Sequence, residues 1–364
     1  MNGRGGGPAA PRRFRVPVSF DRARLDQTLV GLWRAEGGGE VPSRGEVQRW
    51  VDAGRVLVDG RAAAKAGERV RVGAELSADP LPPPPSDALP DPTVPFRVVF
   101  EDEWLLIVDK PAGVVVHPSR GHPDGTLVNG LLALNTPLAP DDERDRGPEK
   151  LPRPGIVHRL DKGTSGLMVV AKQPRAREGL KALFAAHDIE RSYVALALGA
   201  TASQTVSRLH ARHPTERLRF TSRLATGKRA VTHLEALASL AGGKATIVRC
   251  RLETGRTHQI RVHLAEAAGT PVLGDPLYGR PPADLSLRRL AETLGHQALH
   301  AEVLGFVHPV TKQPLRWVSP LPPELAAVLR ALGGEVPAPP AAPAPPALPA
   351  VAPPVRSKAR AQHK

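Results

Sequence analysis

Cysteine is almost missing: Cys250 is the only one in 364 residues. A disulfide framework is therefore excluded, and so is a zinc site built on thiolates. Aromatic residues make up only 4% of the chain, so Leu, Val and Ala must build most of the core from the 41% that is hydrophobic. No uninterrupted apolar run approaches the roughly 18 residues needed to span a bilayer. The basic start of the chain is followed by Gly, Pro and Arg rather than by an apolar segment, and does not read as a secretory signal. A soluble cytoplasmic protein without a membrane partner is the expectation. Acidic residues are in the minority: 36 Asp and Glu against 50 Lys and Arg leave a formal charge of +14. That excess favours a polyanionic partner, although a basic tail alone accounts for part of it.

What is abundant is proline (40 residues) and glycine (34), and the prolines organise the chain. Length suggests two or three units at about 150 residues each. Residues 1–13 are Gly, Pro and Arg without periodicity and are expected to be disordered. A small unit over 14–76, a Pro-rich linker over 77–95 and a large unit over 96–332 follow. Residues 333–364 are Pro and Ala ending in Arg356, Lys358, Arg360 and Lys364, a composition that cannot make a core. Residues 139–150 read as a surface loop, and no fixed-period repeat is present.

In the small unit Leu25, Leu29 and Leu32 share one helical face. Ser43 with Glu46 forms a capping-box pattern ahead of a second helix carrying Val47, Trp50 and Val51, which Gly54 ends. A strand over 55–58, an Asp59-Gly60 turn and a second strand near 69–72 complete it. By itself this pattern fits a small structural domain as well as a binding module.

The large unit opens with a hairpin, 96–99 and 105–108, and a short helix over 127–134. Asp161 to Gly166 is a polar loop with two glycines delivered onto an apolar strand, Leu167 to Ala171. It reads either as an active-site loop or as a tight turn in which Asp161 caps backbone N–H groups. A helix over 175–187 precedes an alternating strand, 191–198, on which Tyr193 either packs or borders a cleft. Gly227-Lys228-Arg229 lacks the earlier glycine and the following Ser or Thr of a phosphate loop, and reads as part of a basic hairpin facing nucleic acid. After a strand over 245–252, Thr257 is placed to cap a helix with Ile260, Leu264 and Ala267 or Ala268 buried. Arg256 sits on the rim where strand meets helix, within possible reach of a carboxylate. His258 and His263 are five apart and do not form an i,i+4 metal pair, so no metal is expected. The final part, 294–318, which contains Leu299-His300-Ala301 and Phe306 to Pro309, is expected to supply closing strands of the same sheet.

Two resemblances add to this reading. Arg24-Leu25-Asp26, Ser43-Arg44 and the run Val51 to Gly60, with Lys65 and Gly67, resemble the S4-like RNA-binding module, named after a small-subunit ribosomal protein; Gly37 to Glu40 lengthens one of its loops. The resemblance implies phosphate contacts from Arg44, Arg49, Lys65 and Arg55. Residues 155–172, 189–199, 227–233, 254–279 and 299–309 resemble the RluA-like pseudouridine synthases, with His158-Arg159-Leu160-Asp161 as the family's motif. The implied fold is α+β, with a mixed, mostly antiparallel curved sheet behind a small N-terminal α/β RNA-binding domain. The implied activity is isomerisation of uridine to pseudouridine without metal, redox or nucleotide cofactor. The implied catalytic residues are Asp161, Tyr193 and Arg256, the last paired with the aspartate, while Asp275, Tyr278 and Gly279 are implied to be structural. His158, Arg159, Thr164, Lys228 and Arg261 are the implied RNA contacts of the large unit. The implied partner is RNA, 23S ribosomal RNA or pre-50S particles, met by a monomer. An enzyme acting on transfer RNA and a catalytically idle RNA-binding or ribosome-assembly protein remain as alternatives.

Overall fold

The computed structural model describes residues 11–37, 42, 44–81, 88–119, 121–140 and 153–341. The chain divides into two compact units, the smaller containing the described residues up to Ala88 and the larger nearly all that follow.

The small unit runs β1 (Arg12–Arg15), α1 (Leu25–Glu36), α2 (Arg44–Asp52), β2 (Val56–Val58), β3 (Arg61–Ala62) and β4 (Glu75–Ala78). Its strands lie in the order β1-β4-β2-β3, all antiparallel. Leu25, Leu29, Trp33, Val47, Trp50 and Val51 bury one face of each helix against Phe14, Val56 and Leu76. Three aromatic rings meet here: Trp33 lies 5.4 Å from both Phe14 and Trp50. Three expectations change. Residues 12–13, expected to be disordered, are the start of β1. The strand expected near 69–72 is a single bridge, Arg24 to Arg69; β2 pairs across the Asp59-Gly60 turn with the short β3 and on its other edge with β4, whose Leu76 is fully buried whereas Val72 is exposed. Residues 77–78, assigned to the linker, belong to β4. The capping box of Ser43 with Glu46 rests on side chains outside those described.

The large unit contains β5 (Arg97–Glu101), β6 (Leu105–Lys110), α3 (Leu127–Ala133), β7 (Ser165–Ala171), α4 (Pro174–Ala186), β8 (Ile189–Leu198), β9 (Gln204–Arg212), β10 (Phe220–Thr221) and β11 (Lys228–Leu240). It continues with β12 (Ala245–Leu252), α5 (Gln259–Val262), α6 (Leu285–Leu294), β13 (Leu299–Val307), β14 (Pro314–Val318) and α7 (Pro323–Ala331). All ten strands form one sheet in the order β10-β9-β11-β12-β8-β13-β7-β6-β5, with β14 on the edge of β13. Every pairing is antiparallel except the short one between β13 and β7. The fold is thus α+β, with a large, mostly antiparallel sheet. The strands expected over 294–318, β13 and β14, do belong to this sheet, but β13 lies at its middle rather than closing it, a long-range placement that local patterning does not encode.

All seven residues of β7 are buried, which is why it reads as a continuous apolar run rather than an alternation. Leu167 and Val169 pack with Leu180 of α4 on one face, while Met168 and Val170 join Leu160 and Tyr193 on the other. Pro174 opens α4 at a position that needs no N–H donor, and His187 ends it in the left-handed region at φ 64°. The beginning of the tail, expected to be disordered, lies against the large unit: Arg249 donates to the Ala338 carbonyl, and Arg316 to that of Pro340 at 2.7 Å. No described helix is long and apolar enough to cross a membrane.

Candidate active site

Asp161 stands in the turn that enters β7. The Thr164 amide donates to the Asp161 carbonyl at 3.0 Å, and the Gly113 amide to the Lys162 carbonyl at 2.8 Å. Lys110 is fully buried, and its ammonium donates to the carbonyls of Pro111 and Val114 at 2.9 Å and of Lys162 at 3.3 Å. Burial pushes Lys110 down to about 7, with the charge of Asp161 opposing the shift. One lysine therefore ties the loop after β6 to the turn that carries Asp161. At the start of β7, Gly166 has φ 115°, and a Cβ there would lie 2.2 Å from the Ala301 carbonyl oxygen, so no side chain fits.

The partner of Asp161 is Arg261, not Arg256. Arg261 Nη1 donates to Asp161 Oδ2 at 2.8 Å, while Nε and Nη2 form a two-pronged pair with Asp275 at 2.7 and 2.8 Å. The Arg261 side chain is 4% exposed and that of Asp161 16%. Burial acts to lower the Arg261 pKa, but the two carboxylates more than reverse it, so the guanidinium stays charged. Burial likewise pushes Asp275 up, and the hydrogen bonds from Arg261 and from the Leu277 and Tyr278 amides hold it below the usual carboxylate range.

Local chain geometry explains the exchange of arginines. The helix starts at Gln259 rather than being capped by Thr257, because His258 adopts a left-handed conformation, φ 59° and ψ 17°. Gln259, buried, uses all four hydrogen-bonding positions: Oε1 accepts from Thr254 Oγ1 and the Arg256 amide, and Nε2 donates to the Val231 carbonyl and Thr232 Oγ1. This fastens the turn to β11 and leaves the Arg256 guanidinium at the rim, where Nε donates to the Arg229 carbonyl at 3.3 Å. Arg261, two residues into the helix, is directed inward. Its expected role as an RNA contact is corrected too, since a side chain this buried and this committed has no surface to offer phosphates.

Tyr193 lies buried on β8, and its hydroxyl is pushed up chiefly by burial, with the charge of Asp161 adding to the shift. Arg159 is exposed, and its charge acts on His258 beside Asp161. His158 is not an RNA contact: its Nε2 accepts the Val169 amide at 3.0 Å, its ring packs on Phe184 at 4.7 Å, and burial pulls its pKa down to about 3. Thr164 is also interior, taking the Gln297 amide at 3.0 Å on its hydroxyl. In the small unit Arg44 is half-exposed but already paired with Asp26 at 2.7 Å. Arg49 is half-buried, and Lys65 and Lys228 are exposed. Sequence reasoning missed Arg191, a buried cation on β8 that donates to the Glu253 carbonyl at 2.9 Å and lies over Phe184. Its place two residues before Tyr193 on the same strand face was the available signal. Among the described residues no group of three or more His, Cys, Asp or Glu side chains could hold a metal ion.

Residues 104–266 match the family described as RNA pseudouridylate synthase, and residues 39–76 match the S4 domain. The chain is 41% identical over 332 residues to the ribosomal large subunit pseudouridine synthase D of Xanthomonas campestris pv. campestris, a match covering 88% of this chain and 92% of that one. The chain belongs to the RluA-type pseudouridine synthases with an N-terminal S4 domain. Against the ribosomal large subunit pseudouridine synthase D of Escherichia coli K12 the identity is 37% over 321 residues, covering 85% of this chain and 90% of that one. The solved structure of human RNA pseudouridylate synthase domain containing 1 is similar at 25% identity and a TM-score of 0.49, over 66% of this chain and 89% of that one. As a pseudouridine synthase the chain is an isomerase that acts on RNA: uracil is detached from the ribose at N1 and rejoined through C5.

Proposed function

We propose that the chain isomerises specific uridines of large-subunit (23S) ribosomal RNA, with Asp161 as the catalytic carboxylate. The observation that carries this reading is a carboxylate with one oxygen held by a buried guanidinium and the other free of any hydrogen bond to the described residues. Such a group is oriented and available either to attack the sugar carbon or to take a sugar proton. Arg261 supplies the orientation and Asp275 anchors Arg261. The target uridine lies out of reach inside a duplex and is flipped into the pocket, at a cost of a few kcal/mol in unstacking. Tyr193 borders the flipped base, and Arg159, exposed beside the site, occupies the vacated space or holds the backbone. Arg44, Arg49 and Lys65 of the small unit, with Lys228, contact phosphates and contribute affinity more than base reading. The choice of ribosomal RNA over transfer RNA is supported by the names of the relatives, which are large-subunit synthases. The enzyme works on 23S RNA or pre-50S particles, as a monomer in the cytoplasm.

Asp161→Asn removes the reacting group but not the fold. We expect pseudouridine formation to fall by several orders of magnitude with RNA affinity kept. The decisive measurement is carbodiimide treatment and reverse-transcription mapping of RNA from a deletion strain complemented with wild type or Asp161→Asn. Stops restored in 23S RNA by wild type alone support the reading. Stops restored by both remove Asp161 from the chemistry, and stops restored only in transfer RNA replace the substrate.

A further inference from the structure

Oδ1 of Asp161 is free of hydrogen bonds, but it faces a neighbour: His258 Nε2 at 3.8 Å. The other ring nitrogen, Nδ1, is 2.9 Å from the Tyr278 hydroxyl. That hydroxyl in turn accepts the Phe220 backbone N–H at 2.8 Å. Tyr278 therefore has a hydrogen to give and an imidazole nitrogen to give it to. If the ring took the opposite tautomer, its Nε2 lone pair would point at a carboxylate, so both neighbours favour hydrogen on Nε2. Rings enclose the imidazole edge-on, Phe220 at 5.7 Å and Tyr278 at 5.6 Å. Burial is the largest influence on the ring and lowers its pKa, with the charges of Asp161 and Asp275 raising it and those of Arg261 and Arg159 lowering it. Finally, His258 holds a left-handed backbone, φ 59°, where glycine or asparagine would fit with less strain.

We propose that His258 is a positioning residue which, through an Nε2–H donor whose tautomer Tyr278 fixes, orients the reactive oxygen Oδ1 of Asp161 while Arg261 holds Oδ2. The proposal rests on Asp161 being the reacting carboxylate. The separation of 3.8 Å is longer than a hydrogen bond, as catalytic contacts in a free enzyme often are before they tighten in the substrate complex. Two donors on two oxygens leave the carboxylate no rotation, which is the orientation that the sugar carbon or proton requires. Arg261 alone leaves Oδ1 free to swing as the carboxylate turns about its Cβ–Cγ bond.

Single-turnover rates and RNA dissociation constants of His258→Leu, His258→Gln, Tyr278→Phe and the Leu/Phe double variant test this. His258→Leu is expected to slow the chemical step by roughly ten- to a hundredfold with an unchanged dissociation constant. His258→Gln, which keeps a neutral N–H donor, recovers most of the rate. Tyr278→Phe gives an intermediate loss, and the double variant is no slower than His258→Leu. A wild-type rate for His258→Leu, or losses that multiply in the double variant, overturns the relay. Nitrogen NMR of histidine-labelled wild type, assigned with His258→Gln, reads the tautomer without activity: a pyridine-like Nδ1 is expected, and a protonated Nδ1 overturns the proposal even if His258→Leu fails to fold. An active Asp161→Asn sinks the underlying reading instead, whereas an inactive Asp161→Asn beside a normal His258→Leu sinks only the relay.

Discussion

The two units each hold an arginine–aspartate cluster, and the clusters have opposite stoichiometry. In the small unit one carboxylate, Asp26, collects two guanidiniums, Arg24 at 3.0 Å and Arg44 at 2.7 Å. In the large unit one guanidinium, Arg261, serves two carboxylates, Asp161 at 2.8 Å and Asp275 at 2.7 Å. The first leaves surplus positive charge on side chains that are 44% and 49% exposed, a rim suited to phosphates. The second leaves surplus negative charge around an arginine 4% exposed, with only Asp161 open toward solvent. One arrangement advertises cations, and the other holds a partly open carboxylate on a buried guanidinium. The same two residue types, counted differently, give clusters of opposite charge balance.

The sharpest break of this comparison is Arg261→Met. It strands Asp275 in the interior without a cation, and loss of a buried partner costs about 3–5 kcal/mol. Urea unfolding followed at the large unit's tryptophans, Trp104 and Trp317, measures it. Arg261→Lys keeps the charge but not the fork and is expected to fall between. Stability within error of wild type for the methionine variant would mean that the buried cluster is not the structural one.

Acid separates the units next. Asp26 and Asp275 both titrate below the usual carboxylate range, so the stability they confer is complete above about 3.9 and is lost as pH falls through their lower folded values. The large unit carries a second liability. His158 and His263 stay neutral in the fold, with burial bringing them to about 3 and about 4. The unfolded chain binds those protons from about pH 6.5 downward while the folded chain refuses them, so stability declines across that window. Residues 1–88 contain no histidine. Single-tryptophan variants therefore should show Trp104 or Trp317 responding below about pH 6.5, with Trp33 and Trp50 unmoved until about pH 4. Coincident transitions would refute the separation.

The smallest effect is Asp26→Asn. With partners half in solvent, its cost in stability should stay below about 1 kcal/mol. Releasing Arg24 and Arg44 should steepen the salt dependence of RNA binding, and a shallower slope would show that the pair acts through geometry rather than charge.

Much of the element order was legible because apolar periodicity is local. The hairpin entering the sheet, α3, α4 and the alternating strand around Tyr193 all follow from it. β1 was missed because three of its four residues are arginines and only Phe14 turns inward. β13 was misplaced because its neighbours, β7 and β8, are set by contacts more than a hundred residues apart in sequence. At the site, Asp161 could be named from its motif, but its partner could not be chosen by proximity to the strand end. The left-handed His258 resets the phase of the short helix, and a backbone dihedral leaves little trace in residue order. A trace of Arg261 did exist: an arginine in Gln259–Val262, where all four residues are buried, demands an acid, and Asp275 follows in a glycine–proline turn.

The pairing of β13 with β7 rests on two register pairs, His300 with Ser165 and Ala301 with Gly166. It is the one parallel join in the sheet, and it divides β5, β6 and β7 from all the other strands. Asp161 hangs from the lesser part, whereas Tyr193, His258, Arg261 and Asp275 belong to the greater. A slip of one residue along that suture would carry the carboxylate about 3.3 Å past its guanidinium. The bare Gly166 therefore works as a vernier: by letting two backbones touch, it gauges the span between the halves.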